Sequence, residues 1–204
     1  MSDDTPGPIA LAITGASGSA YALRLLECLI GAGRQVYLMI SRAGQIVIKM
    51  ESCLELPGLP AEVQRLRAER FDAEPGQLEV FGRQQWMAPV ASGSNPPEAM
   101  VVCPCTTGTL AAIACGASND LLERAADVML KERRKLILVV RETPFSDIHL
   151  ENMLKLSRMG AVIMPANPGF YYHPESVQDL VNFMVARVLD QLRIEQDLLP
   201  RWGE

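Results

Sequence analysis

Ile9–Gly18 reads IALAITGASG, and this stretch decides the fold. Ile9 to Ile13 are apolar without a break, which suits a strand buried on both faces rather than one with a wet side. Thr14, Gly15, Ala16, Ser17 and Gly18 then exchange bulk for small, hydroxyl-bearing and flexible residues. A mainly apolar helix is expected from about Ser19 to Ile30. It turns Ala22, Leu25, Leu26, Leu29 and Ile30 inward, keeps Arg24 and Glu27 on the other side, and is stopped by Gly31 and Gly33. Buried strand, tight turn and helix open a parallel α/β unit. The functional place in such a unit is the crevice at the carboxyl end of the strand, where the first N–H groups of the helix can hold a phosphate.

The same pattern returns along the chain. VYLMI at 36–40, AMVVC at 99–103, LILVV at 136–140 and AVIMP at 161–165 read as further buried strands, with LEVF at 78–81 as a brief one. Helices are expected over 42–51, 61–70, 120–134, 147–159 and 176–192. Asp120 with Glu123 and Ser176 with Asp179 have the spacing of capping boxes. In the helix over 147–159, Leu150, Met153 and Leu154 are expected to face inward. The expectation is a single α/β domain over 9–204, behind a flexible tail at 1–8. Its architecture is three-layered, a Rossmann-like or flavodoxin-like parallel sheet of roughly six strands with helices on both faces.

Composition narrows the function classes. The chain has 204 residues, 49% hydrophobic and 21% charged, with a net charge of −5, which disfavours nucleic acid as a partner. No run reaches the length of a membrane span, and the acidic start MSDDTPGP lacks the apolar core of a secretory signal, so the cytoplasm is the expected compartment. Of the five cysteines, Cys28, Cys53, Cys103, Cys105 and Cys115, none has metal-ligand spacing and the number is odd. They read as small buried hydrophobes, with Cys105 placed to line the site. With two histidines and no metal motif, no metal is expected.

Three strand ends present hydroxyls to one side of the sheet: Ser17, Ser41, and the run Thr106, Thr107, Gly108, Thr109. Together they point to an anion or polar-cofactor site. The turn GASG lacks the GxGxxG of dinucleotide binding, and Ser41 stands where an acid would contact the ribose, so a mononucleotide phosphate fits better. Arg141 and Glu142 follow directly on a central strand, where charges must be paired or functional. Arg124 and Lys131 are seven residues apart on one helix face, and Asp127 is spaced to pair with Lys131. Trp86 lies in a long loop, FGRQQWMAPVASGSNPP, as either a core anchor or a pocket wall. Arg187 has Asp190 three residues on.

The motifs TGASG at 14–18, SGS at 92–94, CPCTTGTLA at 103–111, ERAADVMLKERR at 123–134, RETPFS from 141 and PANPGFYY at 165–172 together resemble the flavin prenyltransferase family. The resemblance covers the chain from Ile9 onward, apart from 54–80. It implies transfer of the dimethylallyl group of dimethylallyl phosphate to N5 and C6 of reduced FMN. Prenylated FMN is then the product, handed to a partner decarboxylase in ubiquinone synthesis or aromatic acid metabolism, and the enzyme is a metal-independent homododecamer. Carried over by motif, Gly15, Ala16 and Ser17 with Ser41 hold the FMN phosphate region, and Thr106, Thr107, Gly108, Thr109 and Arg141 contact the flavin. Tyr171, Arg187 and Lys131 bind dimethylallyl phosphate. Ser17, Glu51, Trp86, Arg124, Lys131 and Glu142 are the implied catalytic set, some of them reaching the site from neighbouring subunits. The rivals are a cysteine decarboxylase of related fold, a flavin-storage protein, and a direct decarboxylase of a prenylated hydroxybenzoate. The first lacks its substrate motif here, since PANPGFYYHP stands in its place.

Overall fold

The computed structural model describes residues 6–52, 57, 59–200 and 203. Six strands form one parallel sheet: β1 (Ile9–Ile13), β2 (Val36–Ile40), β3 (Leu78–Phe81), β4 (Ala99–Cys105), β5 (Lys135–Val140) and β6 (Val162–Ile163). Among the described residues seven α-helices flank the sheet: α1 (Ser19–Gly31), α2 (Arg42–Ser52), α3 (Pro60–Arg70), α4 (Thr107–Ala114), α5 (Leu121–Lys131), α6 (Asp147–Arg158) and, after the last strand, α7 (Val177–Leu192). The strand order is β3-β2-β1-β4-β5-β6, which of the two expected variants is the Rossmann order. The chain reverses its direction of winding between β1 and β4. The crevice opened there lies directly above the TGASG turn.

Alternation along β1 divides the core in two. Ile9, Leu11 and Ile13 face a layer built from α1, α3 and α7, whose contributions include Leu25, Leu29, Val63, Val185 and Leu189. Ala10 and Ala12 face the other layer, built from α4, α5 and α6, with Leu110, Ile113, Leu122, Met129 and Leu156. All of β1 is buried, as a central parallel strand flanked by helices must be.

Several boundaries and faces differ from the sequence reading. β4 runs on through Pro104 to Cys105, with a register shift between Val102 and Cys105 against β5. Proline has no N–H to give the ladder, so a central strand tolerates it where the pairing is already irregular. β6 is two residues long. In α6, Met153 and Leu156 are buried, whereas Leu150 and Leu154 are 51% and 52% exposed. The spacing Met153–Leu156 already defines the inward stripe, and Leu150 with Leu154 falls on the outer side of it. Residues 1–5 of the expected tail lie outside the described residues, while Gly7 and Pro8 are tied down. Arg34 Nη2 donates to Gly7 O at 2.8 Å, and Glu98 N donates to Pro8 O at 2.9 Å. At the β3 edge, the Gln64 side chain accepts from Val80 N at 3.0 Å.

Candidate functional site

The crevice is assembled by Thr14, which the sequence reading named only as part of the turn. It is buried, and its Oγ1 donates to Pro104 O at 2.7 Å. Its N–H reaches the same carbonyl at 3.3 Å, and Thr106 N donates to Thr14 Oγ1 at 2.9 Å. One hydroxyl thus bolts the end of β1 to the bulged end of β4. Its position inside TGASG was the available signal. On the other flank, Ser41 N donates to Ile13 O at 2.9 Å, and Ser41 Oγ accepts from Gly44 N at 3.0 Å. Ser41 therefore caps α2 as well as bordering the crevice. The start of α2 abuts β1 so closely that a Cβ on Gly44 would stand 2.7 Å from Ile13 O, and one on Gly15 would overlap the Ala43 methyl.

Helix α1 begins without a side-chain cap of its own. Gly18 sits at its N-cap with φ 110°, a left-handed conformation that glycine adopts at no steric cost. Glu51, at the far end of α2, supplies the acceptor. Its carboxylate takes Gly18 N at 3.0 and 3.1 Å, Ser19 N at 2.8 Å and Ser19 Oγ at 2.7 Å. Partial burial alone would raise the Glu51 carboxyl. Hydrogen bonds from the Ser17 and Ser19 hydroxyls and from the Ser19 and Gly18 amides outweigh that and hold it below its ordinary value. A resident carboxylate thus fills the place at the start of α1 where an external anion would bind.

The start of α4 is different. Thr106 caps it, its Oγ1 accepting from Thr109 N at 3.0 Å and lying 2.9 Å from Thr109 Oγ1. Among the described residues, the amides of Thr107 and Gly108 have no acceptor, and Gly108 is exposed. Here the donor set of an anion site is open. Beside it, Arg141 N donates to Cys105 O at 3.1 Å, which puts the exposed Arg141 side chain at the mouth of the crevice. Glu142 Oε1 accepts from Thr143 N at 3.0 Å. Tyr21, missed from sequence, stands half-buried between these groups, with its ring against Gly18. Burial pushes its phenol up, the Cys103 thiol adds to that, the Arg141 guanidinium opposes it, and the Glu51 carboxylate adds a little more.

One chain therefore gathers Gly15, Ala16, Ser17, Ser41, Glu51, Thr106, Thr107, Gly108, Thr109, Arg141 and Glu142 at neighbouring strand ends. The other expected residues form two separate patches. On the outer face of α5, Arg124 Nε donates to Ala91 O at 3.0 Å and Arg124 Nη1 pairs with Asp127 at 2.8 Å. Lys131 pairs with Glu132. Asp127 thus takes Arg124 instead of the expected Lys131, because Ala91 O anchors the guanidinium within its reach. Trp86 is 43% exposed, with Nε1 donating to Gln84 Oε1 at 3.1 Å, so it is no core anchor. The second patch belongs to α7, across the sheet. Arg187 pairs with Asp190 at 2.6 Å, and Tyr171 and Arg187 share a groove of about 630 Å³ with Tyr172, Phe183 and Leu199. No hydrogen bond or ion pair between described residues joins Arg124 or Lys131 to Arg187. Cys105 is fully buried in β4 and lines nothing, a correction to the expectation. Burial pushes its thiol up to about 12, and that of Cys103 higher still. Against the expectation that the cysteines are buried, Cys115 is exposed and Cys28 partly so, while Cys53 lies outside the described residues. Among the described residues no cluster of metal-ligating side chains occurs, and no helix is long and apolar enough to cross a membrane.

A doubly wound parallel sheet with hydroxyl-lined strand ends and an open helix start defines a flavoprotein-type mononucleotide fold, and the Flavoprotein family pattern matches residues 2–189. A flavin prenyltransferase UbiX of Pseudomonas aeruginosa is 60% identical over 199 residues, covering 98% of this chain and 95% of the relative. The crystal structure of AnUbiX (PadA1) in complex with FMN and dimethylallyl pyrophosphate superposes with a TM-score of 0.87 at 39% identity, covering 98% and 99% of the two chains. A dodecameric FMN-dependent UbiX-like decarboxylase from Escherichia coli O157:H7 gives 0.84 at 39% identity, covering 97% and 99%. The chain belongs to the UbiX/Pad1-like flavin prenyltransferase family.

Proposed function

We propose that this chain transfers the dimethylallyl group of dimethylallyl phosphate to N5 and C6 of reduced FMN, yielding prenylated FMN for a partner decarboxylase. The observation that carries the reading is the pairing of an open anion site at the start of α4 with the Arg141–Glu142 pair at the adjacent strand end. Thr106, Thr107, Gly108 and Thr109 would hold the FMN phosphate. Gly15, Ala16 and Ser17 with Ser41 would complete that phosphate region, alongside the Gly18 and Ser19 amides that the Glu51 carboxylate already takes.

The reduced isoalloxazine supplies the nucleophilic atoms. The chain supplies charge, orientation and proton movement. As the allylic C–O bond breaks, negative charge grows on the phosphate oxygens. Lys131, Arg124 and Arg187, with the Tyr171 hydroxyl, neutralise it without a metal. Glu142 gives the leaving phosphate its proton. Ser17, hydrogen-bonded to Glu51, would pass on the proton that N5 gives up as it takes the allylic carbon, and closure at C6 would consume the prenyl double bond, the C6 proton ending on its other carbon. Trp86 faces the allylic carbon as it gains cationic character.

Arg124 and Lys131 lie on one layer of the sheet and Arg187 on the other. A site that uses all three takes them from separate copies, in a homo-oligomer that we read as a dodecamer acting in the cytoplasm. The test is anaerobic incubation of the protein with reduced FMN and either dimethylallyl phosphate or its pyrophosphate, followed by mass spectrometry. Flavin heavier by one five-carbon unit supports the reading, and the two arms identify the donor. Unmodified flavin in both arms overturns it.

A further inference from the structure

The loop Ala91–Ser94 and the outer face of α5 form one unit that the catalytic reading leaves unexplained. At one end, Ala91 O anchors Arg124 Nε at 3.0 Å. At the other, the Lys131–Glu132 ion pair lies across Gly93. A Cβ built on Gly93 would stand 2.5 Å from Lys131 Nζ and would collide with the Glu132 carboxylate. Between the two ends, Ser92 Oγ and Ser94 Oγ lie 2.9 Å apart, and Ser94 N donates to Ser92 Oγ at 3.3 Å, so the turn holds its own shape. Gly93 is not in the left-handed region, so the backbone has no need of glycine here. What glycine leaves open here is the space that the Lys131 and Glu132 side-chain ends occupy.

We propose that Gly93 is a positioning residue for Lys131: its missing side chain fixes where the ammonium sits, and the Ala91–Ser94 turn thereby sets the spacing of the Arg124 and Lys131 cations toward the donor phosphate. The inference rests on the reading of Lys131 as a ligand of that phosphate. The atoms that a methyl at Gly93 would meet are the ends of flexible side chains, which move cheaply. Gly93→Ala therefore keeps the fold and shifts the charge. Loss of a charge-assisted contact to that phosphate weakens binding by about tenfold to a hundredfold.

The experiment is a double-mutant cycle read as the dissociation constant of dimethylallyl phosphate on the FMN-loaded protein. Gly93→Ala is expected to weaken donor binding about tenfold while leaving the FMN constant within about twofold. In a Lys131→Met background the same substitution is expected to cause no further loss. Undiminished donor binding in Gly93→Ala, or an equal loss in both backgrounds, overturns the proposal. Should Gly93→Ala fail to fold, Glu132→Ala releases the same ammonium and is expected to show the same dependence on Lys131. A second readout separates this inference from the function. In protein reductively methylated with ¹³C, the Lys131 resonance is expected to move in Gly93→Ala and not in Ser92→Ala. If Lys131→Met leaves donor binding unchanged while that resonance still moves, the reading of the donor site fails and the positioning stands. A resonance unmoved in Gly93→Ala refutes the positioning itself.

Discussion

The carboxylate of Glu51 accepts the Gly18 amide with both of its oxygens, at 3.0 and 3.1 Å, and so one helix ends by capping the start of another. The donors around it hold the Glu51 carboxyl below its ordinary value of 4.5. The folded chain thus prefers the ionised form more strongly than the unfolded chain does. The resulting stabilisation is complete above the unfolded value and is lost as pH falls through the lower folded value. Glu51→Gln is expected to destabilise the protein by about 1 kcal/mol near neutrality, the size of a lost helix cap. Thermal melts of both proteins should show a gap that is constant between about pH 6 and 8 and narrows progressively as pH falls below about 4.5. A gap that widens in acid would contradict the assignment.

Thr14→Val keeps the shape of the β1–β4 junction and removes its hydroxyl. Pro104 O loses a donor and Thr106 N its acceptor. A cost of about 2 kcal/mol is expected, as for a buried polar group left unmet. FMN should also bind more weakly, because Thr106 caps the proposed phosphate site. Denaturant midpoints and a flavin fluorescence titration check both effects, and unchanged midpoints would show that the hydroxyl is dispensable.

Gly44→Ala pushes a methyl against Ile13 O. The neighbour is backbone and cannot step aside, so a loss of about 1–3 kcal/mol is expected, with α2 and its Glu51 displaced together. A thermal midpoint equal to that of the wild type would show that α2 has slack at this end.

Glu142→Gln is expected to slow prenyl transfer far more than it weakens FMN binding, since the residue acts on the leaving group. Arg187→Ala should raise the dissociation constant of dimethylallyl phosphate about tenfold or more, the loss of a charged hydrogen-bonding partner. Equal losses of rate and FMN affinity in the first variant would make Glu142 structural. Unaltered donor binding in the second would remove Arg187 from the site.

Thiol chemistry separates the cysteines. Cys103 and Cys105 are buried, and burial pushes both thiols up, so neither offers a thiolate to an alkylating reagent at neutral pH. Peptide mapping after brief maleimide treatment of the native protein should find Cys115 modified and Cys103 and Cys105 intact. Labelling of Cys105 would show that β4 opens at its carboxyl end.

What could be read from sequence was what local chemistry dictates. The apolar run Ile9–Ile13, the small residues after it and the repeated hydroxyls at Ser41 and Thr106–Thr109 each announce a buried strand and its turn without help from the rest of the chain. The boundaries of α7 and its Ser176 cap were legible for the same reason. What escaped depends on packing between distant segments. Glu51 reaches the start of α1 only because α2 is laid against the end of β1, and nothing near Glu51 in sequence says so. Thr14 looked like one more turn hydroxyl until Pro104, ninety residues on, turned its carbonyl toward it. Asp127 had two cations at helical spacing, and the choice between them was made by a loop carbonyl at Ala91. Leu150 and Leu154 keep a plausible apolar spacing, yet the stripe one position over is the one that meets the core.

The edges of the sheet carry a consequence of their own. On one side the amide of Val80, which a passing strand would need, is already engaged by the Gln64 side chain. On the other, β6 offers two residues, too short a template for strand addition. Sideways growth of the sheet is thus discouraged at both margins. Copies of this chain that associate would then meet through helical flanks and loops rather than through strand edges.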